Sequence, residues 1–307
     1  MDFGMLTQQL INALSLGAMY ALVAVGFTLF FGVIDIINFA HGELFMLGAF
    51  IALTALGFLT GSTLTSSFLL LLLLVIVITM VGGGLAGGVI ERVIIRPLRG
   101  ASDLMLLLLT LGISIIIREA VMLFYPNGAN PLAFPNLFPQ TKIYLFGAII
   151  KYEQIFTIGL SLILILLLHL IVTRTRFGHY MIAVSQDKEA AMMMGIDINR
   201  VIILTFMIGS ALGALAGLLN GMYYNIIKFN MGFLISIKGF SAAVVGGLGN
   251  IYGAIVGGFL LAFLEMFASA YIPGGSRYQD VIGFVIVILF LVFKPSGIFG
   301  EKVYEKV

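Results

Sequence analysis

The chain has 307 residues, of which 61% are hydrophobic and only 10% are charged. Soluble domains carry about 25% charged residues, so this composition predicts an integral membrane protein and excludes a separate soluble domain. The small net charge of +2 offers no basic surface for nucleic acid, and a sequence without cysteine has neither disulfides nor thiolate metal sites.

Six apolar segments approach or exceed the roughly 20 residues that span a bilayer core. In chain order they are residues 10–33, 44–59, 68–90, 104–124, 155–172 and 201–221. The next apolar stretch, 239–264, holds seven glycines, and the last, 281–293, has only 13 uncharged residues. We therefore predict an all-α polytopic membrane protein of about eight transmembrane helices, with residues 1–307 forming a single membrane domain.

A cluster of polar and small residues separates the first two apolar segments. The sequence FGVIDIINFAHGELFML, residues 31–47, contains Asp35, Asn38, His41, Gly42 and Glu43. Hydrocarbon cannot satisfy such a stretch, so it must line water, a protein interior or a membrane surface. The pattern predicts a broken or re-entrant segment near residues 33–43 and indicates transport, with substrate-pathway residues at Asn38, His41, Gly42 and Glu43. A structural cap or a contact with a cytoplasmic partner is the alternative, and Asp35 is interpreted as an interfacial charge.

Closely spaced glycines interrupt the apolar stretch near the C-terminal end. Gly246, Gly247 and Gly249 predict a second break, near residues 246–250, whose exposed backbone faces the substrate pathway. Close packing against a neighbouring helix is the alternative for these glycines. Glycines also recur every fourth residue over 209–221 and 249–257, which predicts tight helix packing in a compact bundle.

The polar sequence RTRFGHYMIAVSQDKEAAMMMGIDINR, residues 174–200, predicts a cytoplasmic loop over about 173–200 that contains a short helix. Ser185 is placed to cap this helix and Gly195 to end it. Alanine and methionine side chains give the helix a soft apolar surface, and methionine suits a contact that repacks as a partner moves. An amphipathic helix resting on the membrane interface is the alternative.

Few ionisable residues lie within the apolar segments. Arg118 and Glu119 are neighbours on one predicted helix, where successive side chains point about 100° apart, so we expect them not to pair. Glu265 is expected to cap a helix or to pair near a helix end. With only these candidates for coupling to an ion gradient, a secondary transporter acting alone is the weaker alternative. The sequence has no cysteine and no paired-histidine or spaced-carboxylate pattern, so no motif in it indicates an enzyme or a metal site.

Three motifs, in order along the chain, resemble the LivH-type permeases of branched-chain amino acid ABC importers. The first motif is residues 12–50, with the INFAHGE core at 37–43. The second is residues 174–197, and the third is FSAAVVGGLGNIYGAIVGG at 240–258. The sequence KPSGIFG at 294–300 also fits the same family. The resemblance covers nearly the whole chain and implies a permease subunit that carries leucine, isoleucine or valine by alternating access. Related permeases carry urea, short amides or other amino acids, and this alternative stays open.

The same resemblance implies partners: a second permease subunit, two cytoplasmic ATPase subunits and an external solute-binding protein. ATP is then expected on the ATPase subunits, with no cofactor on this chain, whose sequence has no G-x-x-x-x-G-K-[ST] loop. The resemblance places the ATPase contact at Arg176, Ala190, Ala191, Met194 and Gly195.

Positive charges in the loops predict an orientation in a bacterial or archaeal cytoplasmic membrane. With the N-terminus outside, ten Lys and Arg residues fall on the cytoplasmic side and five on the other, Lys238 among the five. The multi-pass chain is therefore expected to have its N-terminus outside and its C-terminus in the cytoplasm.

Overall fold

The computed structural model describes residues 3–60, 67–139, 141–145 and 147–300. This part of the chain consists mainly of eleven α-helices: α1 (Phe3–Ile34), α2 (His41–Thr60), α3 (Phe68–Ile90), α4 (Asp103–Phe124), α5 (Tyr152–Arg174), α6 (Arg176–Gln186), α7 (Lys188–Met193), α8 (Ile198–Tyr224), α9 (Met231–Gly246), α10 (Ile251–Tyr271) and α11 (Gln279–Phe293). Four short strands accompany them: β1 (Leu132–Ala133), β2 (Lys142–Leu145), β3 (Ala148–Lys151) and β4 (Ile226–Ile227).

Seven of the described helices are long and apolar enough to cross a membrane: α1, α2, α3, α4, α5, α8 and α10. The six segments predicted as spans fall on the first six of these. α9 and α11 are also apolar but have only 16 and 15 residues. The prediction of an all-α, multi-pass membrane protein is confirmed, with seven long and two shorter apolar helices in the part of the chain that the structure describes.

Short polar side chains and one glycine set the ends of the helices around α7. Asp187 Oδ1 accepts the backbone N–H groups of Glu189 and Ala190 at 2.9 Å each, and so begins α7. The prediction that Ser185 caps this helix is wrong, because Ser185 still belongs to α6 and donates to the carbonyl of Ile182. Gly195, with a φ of +79°, ends the segment as predicted.

The centre of the bundle is α1, which packs against α2, α8, α9 and α10. Glycines let the backbones meet: a Cβ atom on Gly258 would lie 2.6 Å from the backbone nitrogen of Ala21, and one on Gly217 would overlap the carbonyl oxygen of Phe45. The predicted tight packing is thus confirmed. In contrast, fewer than a third of the residues in the spans of α3, α4 and α5 are buried, as a lipid-facing surface requires.

The bundle has two ends. Lys188 Nζ lies 3.1 Å from Asp35 Oδ2, and Arg99 Nη1 donates to Asn199 Oδ1 at 2.9 Å, so the loops after α1, α3 and α7 share one end, which we call the Lys188 face. The helices α4 and α5 each extend about 33 to 35 Å to the other end. We call that end the hairpin face, because it carries the antiparallel hairpin β2–β3 and the short antiparallel pair β1–β4.

Candidate functional site

The chain breaks between α1 and α2 and turns back into the bundle. α1 ends at Ile34, and Asp35 follows with a φ of +59°. The first residue of α2, His41, already contacts Val23 of α1, where its Nε2 lies 3.2 Å from the carbonyl oxygen. Val23 precedes Ile34 by three helical turns, or about 16 Å. Residues 35–40 therefore form a re-entrant segment, as predicted, and α2 begins inside the bundle.

Side chains bond part of the backbone of this re-entrant segment, which hydrocarbon could not satisfy. Asn38 Oδ1 accepts the N–H of Ala40 at 3.1 Å. The N–H of Phe39 donates to Thr110 Oγ1 of α4 at 3.3 Å, and its carbonyl accepts Ser236 Oγ of α9 at 2.8 Å. The segment is thus held from two neighbouring helices.

His41 is fully buried in an aromatic enclosure. Its ring stands edge-on to Phe27 and to Phe30, with centroid distances of 5.0 Å for each pair. A Cβ atom on Gly213 of α8 would lie 2.6 Å from the His41 ring, so a larger residue there would clash with the imidazole. Packing and the Val23 contact therefore hold the start of α2 between α1 and α8.

Glu43 lies in the first turn of α2, where the helix dipole favours a carboxylate. Ser114 of α4 donates to its Oε1 at 3.0 Å. Its Oε2 has no hydrogen-bond partner among the described residues and lies against Gly232, in the first turn of α9. A Cβ atom on Gly42 would overlap the carbonyl oxygen of Gly232, so α2 and α9 begin side by side at the same interior level.

The structure therefore brings together all four residues predicted for the substrate pathway in this segment. Asn38, His41, Gly42 and Glu43 are buried within the chain and define where the re-entrant segment ends. Their visible contacts shape the break, and contact with a substrate stays a prediction.

The second break also lies where predicted, between α9 and α10. Gly247 and Gly249 have φ values of +110° and +87°, which suit glycine. The segment after α11 closes the break, because the N–H groups of Ile298 and Phe299 donate to the carbonyls of Val245 and Gly246 at 2.8 and 2.9 Å. Gly249 faces open space and lies near Gly32 of α1, on the Lys188 face.

The predicted coupling residues lie together around α7 on the Lys188 face. Four of them are exposed: Arg176, Ala190, Met194 and Gly195. Ala191 is only 3% exposed and packs inward, so it supports the helix and does not form part of its surface. Met193 and Met194 are 87% and 82% exposed, which gives α7 an apolar surface that no described residue covers.

Two ion pairs connect this face to the bundle. Lys188 of α7 pairs with Asp35, which lies at the surface as predicted. Arg99 pairs with the buried Glu91, in a π-helical turn that extends α3, and also donates to Asn199 in the first turn of α8. Burial lowers the pKa of Arg99, but from a value so high that the guanidinium stays charged.

On α4, the expectation that Arg118 and Glu119 do not pair is wrong. Arg118 Nε lies 3.2 Å from Glu119 Oε1. The long arginine side chain bends around the helix far enough to cover the angle between neighbouring positions. Both side chains are partly exposed, so this is not a buried ion pair.

An ionic cluster, buried except for Asp280, joins four helices, and sequence reasoning missed it. Lys238 of α9 lies 2.9 Å from Glu265 Oε2 of α10 and 2.6 Å from Asp280 Oδ1 of α11. The hydroxyl of Tyr20, on α1, donates to Glu265 at 2.8 Å and accepts from Lys238 at 2.9 Å. We refer to Tyr20, Lys238, Glu265 and Asp280 as the Lys238 cluster.

The sequence-based orientation counted Lys238 among the loop charges, which is wrong because its side chain is only 5% exposed. The lysine lies seven residues after the start of α9. The apolar stretch in the sequence, 239–264, begins only after Lys238, which is why the orientation counts the lysine as a loop charge. Of the two alternatives expected for Glu265, capping a helix or pairing near a helix end, the structure shows pairing, six residues before the end of α10. A usable signal was present, because a lysine and a glutamate in an otherwise apolar region are expected to pair inside a membrane.

Among solved structures, the chain is similar to PsaBC from Streptococcus pneumoniae in complex with Fab. The TM-score is 0.50 at 14% sequence identity, and the match covers 97% of this chain and 95% of that chain. This likeness bears on the fold alone.

Sequence comparison is more specific. A family described as "Branched-chain amino acid transport system / permease component" matches residues 9–291. The chain is 40% identical over 304 residues to the high-affinity branched-chain amino acid transport system permease protein BraD of Pseudomonas aeruginosa, covering 98% of this chain and 97% of the relative. It is 36% identical, with the same coverage, to the LivH permease protein of Escherichia coli K12. The chain therefore belongs to the family of permease components of branched-chain amino acid transport systems.

Proposed function

We propose that this chain is the membrane-spanning permease subunit of an ATP-driven importer of leucine, isoleucine and valine. The observation that carries the proposal is the identity of 40% and 36%, over nearly the full length, to two proteins named as permeases of high-affinity branched-chain amino acid transport systems. The cargo crosses at the interface with a second permease subunit. Two ATPase subunits bind the ATP, an external solute-binding protein delivers the cargo, and the chain itself has no cofactor.

The proposed location is a bacterial or archaeal cytoplasmic membrane, with the Lys188 face in the cytoplasm. This orientation puts the arginines at the ends of α3 and α5 on the positive, cytoplasmic side. It also places the start of α1 outside. In this orientation residues 294–300 also lie on the cytoplasmic side, because Ile298 and Phe299 bond to the end of α9 next to the Lys188 face.

In this proposal α7 receives the motion of an ATPase subunit. Its exposed surface consists largely of Met193 and Met194, whose flexible side chains can repack against a moving partner. The Lys188–Asp35 pair connects α7 directly to the re-entrant segment, and Arg99 connects the start of α8 to the end of α3. Displacement of α7 is therefore transmitted to the start of α2, which alternates access to the pathway.

The test is ATP-dependent uptake of radiolabelled leucine by proteoliposomes that contain the chain with its co-purified partners. We expect uptake only with ATP inside and the solute-binding protein outside. Met193→Glu should abolish uptake and release the ATPase subunits, since it puts a charge on the exposed apolar surface of α7, whereas Met193→Leu should retain both. Purification of the chain alone, with uptake driven by an ion gradient, would refute the proposal.

A further inference from the structure

The hairpin face holds a cavity of about 340 Å³ that the mechanism proposed above does not use. It lies between the start of α1, the hairpin β2–β3, the start of α5 and the end of α8. Small-ligand pockets have volumes of about 300–1,000 Å³, so the cavity has the size for one small molecule. Its polar lining consists of six charged or amide side chains together with the phenol of Tyr223; the six are Gln8, Asn12, Lys142, Lys151, Glu153 and Gln154.

Two lysines face each other across the hairpin. Lys142 and Lys151 are direct partners in the register of β2 and β3, so their side chains project from the same side of the hairpin. Like charges in this arrangement destabilise a strand pair. Neither lysine has a carboxylate within 4.0 Å among the residues described. Since α5 begins directly after Lys151, the positive end of its helix dipole adds to the positive potential of the two lysines. An anionic group bound there would reduce this repulsion.

Hydrogen bonds among the amide groups that line the cavity leave the Asn12 amide as a donor. Asn12 Oδ1 accepts from Gln8 Nε2 at 3.2 Å and from Gln154 Nε2 at 2.9 Å. Gln8 Oε1 accepts the N–H of Ile149 at 2.8 Å, and Gln154 Oε1 accepts the N–H of Lys151 at 3.1 Å. Because Asn12 Oδ1 already accepts two hydrogen bonds, the Asn12 amide has only its N–H groups left to offer a ligand, whereas the oxygens of Gln8 and Gln154 accept one bond each. The same bonds connect α1, the hairpin and α5, so the cavity is preorganised.

Glu153 is the one carboxylate among the described residues that line the cavity. We propose that the cavity binds the zwitterionic head group of a free α-amino acid. The ligand carboxylate lies between Lys142 and Lys151 and accepts from the Asn12 amide, and the ligand ammonium group pairs with Glu153. The assignment rests on the proposed function and makes the cavity the first contact of the cargo with the membrane subunit.

The test is equilibrium binding of radiolabelled L-leucine to the purified full complex in lipid nanodiscs, without the solute-binding protein. The double variant Lys142→Ala/Lys151→Ala is compared with Lys228→Ala, which removes an exposed lysine of the same face from outside the cavity. We expect binding to weaken at least tenfold in the double variant, which corresponds to about 1.4 kcal/mol, and to stay unchanged in the control. Each single lysine variant should show part of the loss, so the test does not depend on the double variant.

Competition experiments identify which ligand groups the cavity recognises. In the wild-type complex, L-leucinamide, which lacks the carboxylate, and 4-methylpentanoate, which lacks the ammonium group, should each compete at least tenfold more weakly than L-leucine. Equal competition by leucinamide, unchanged binding by the lysine variants, or no leucine binding by the wild-type complex would overturn the site. Failure of the wild-type complex to take up leucine with ATP would instead overturn the proposed function, so the two failures are distinguishable.

Discussion

The Lys238 cluster makes a quantitative prediction about stability. Replacing Lys238 by Met keeps much of the side-chain volume but leaves Glu265, which is 1% exposed, without its cation. Removal of one partner of a buried ion pair costs about 3–5 kcal/mol. For a chain of this size, that loss lowers the midpoint of thermal unfolding by about 6–10 °C.

The structure also ranks the variants within the cluster. Asp280→Asn should cost at most about 1 kcal/mol, because the Asp280 side chain is 46% exposed and surface pairs are weak. The double variant Lys238→Met/Glu265→Gln should recover most of the loss from Lys238→Met. It removes both charges, and the neutral amide can still accept the hydroxyl of Tyr20, which bonds to Glu265 at 2.8 Å.

The assay is thermal aggregation of the chain fused to a fluorescent protein, followed by size-exclusion chromatography in detergent. Thiol-reactive dyes cannot be used to follow unfolding of this chain, because its sequence has no cysteine. A midpoint for Lys238→Met within about 2 °C of wild type, less than 1 kcal/mol, would refute the argument that Lys238 compensates a buried charge. So would a double variant less stable than Lys238→Met.

Three further predictions test other parts of the structure. Gly217→Ala should greatly reduce the yield of folded protein, because the added Cβ overlaps the carbonyl oxygen of Phe45. Gly112→Ala, at a position with open space, should leave the yield unchanged. The yields are compared by size-exclusion chromatography of detergent-solubilised membranes. Arg99→Gln should lower the unfolding midpoint by several degrees because it leaves Glu91 without its cation, and Asn199→Ala, which keeps that pair, should lower it far less. Asp187→Ala should remove about 0.5–2 kcal/mol from the local stability of α7, seen as faster amide exchange over residues 188–193, with Ser185→Ala as the unaffected control.

The spans and both breaks were predictable because each depends on local composition. Long uncharged runs, the polar group at 35–43 and the glycines at 246–249 lie within single short windows of sequence. The Lys238 cluster was not found, because its members come from four helices and Tyr20 is 245 positions from Glu265. The cavity on the hairpin face was missed for the same reason, since Gln8 and Ile149 are 141 positions apart.

The re-entrant segment and the start of α9 form one structural unit that reaches the Lys188 face. α2 and α9 begin side by side in the bundle interior, where Gly42 and Gly232 touch and Glu43 lies between them. Ser236 of α9 also bonds the re-entrant segment at Phe39. In the proposed coupling, a displacement of Asp35 that is passed on from Lys188 moves the starts of both helices or breaks these bonds. This arrangement explains why glycine occupies both touching positions. A side chain at either one would separate the start of α2 from the start of α9.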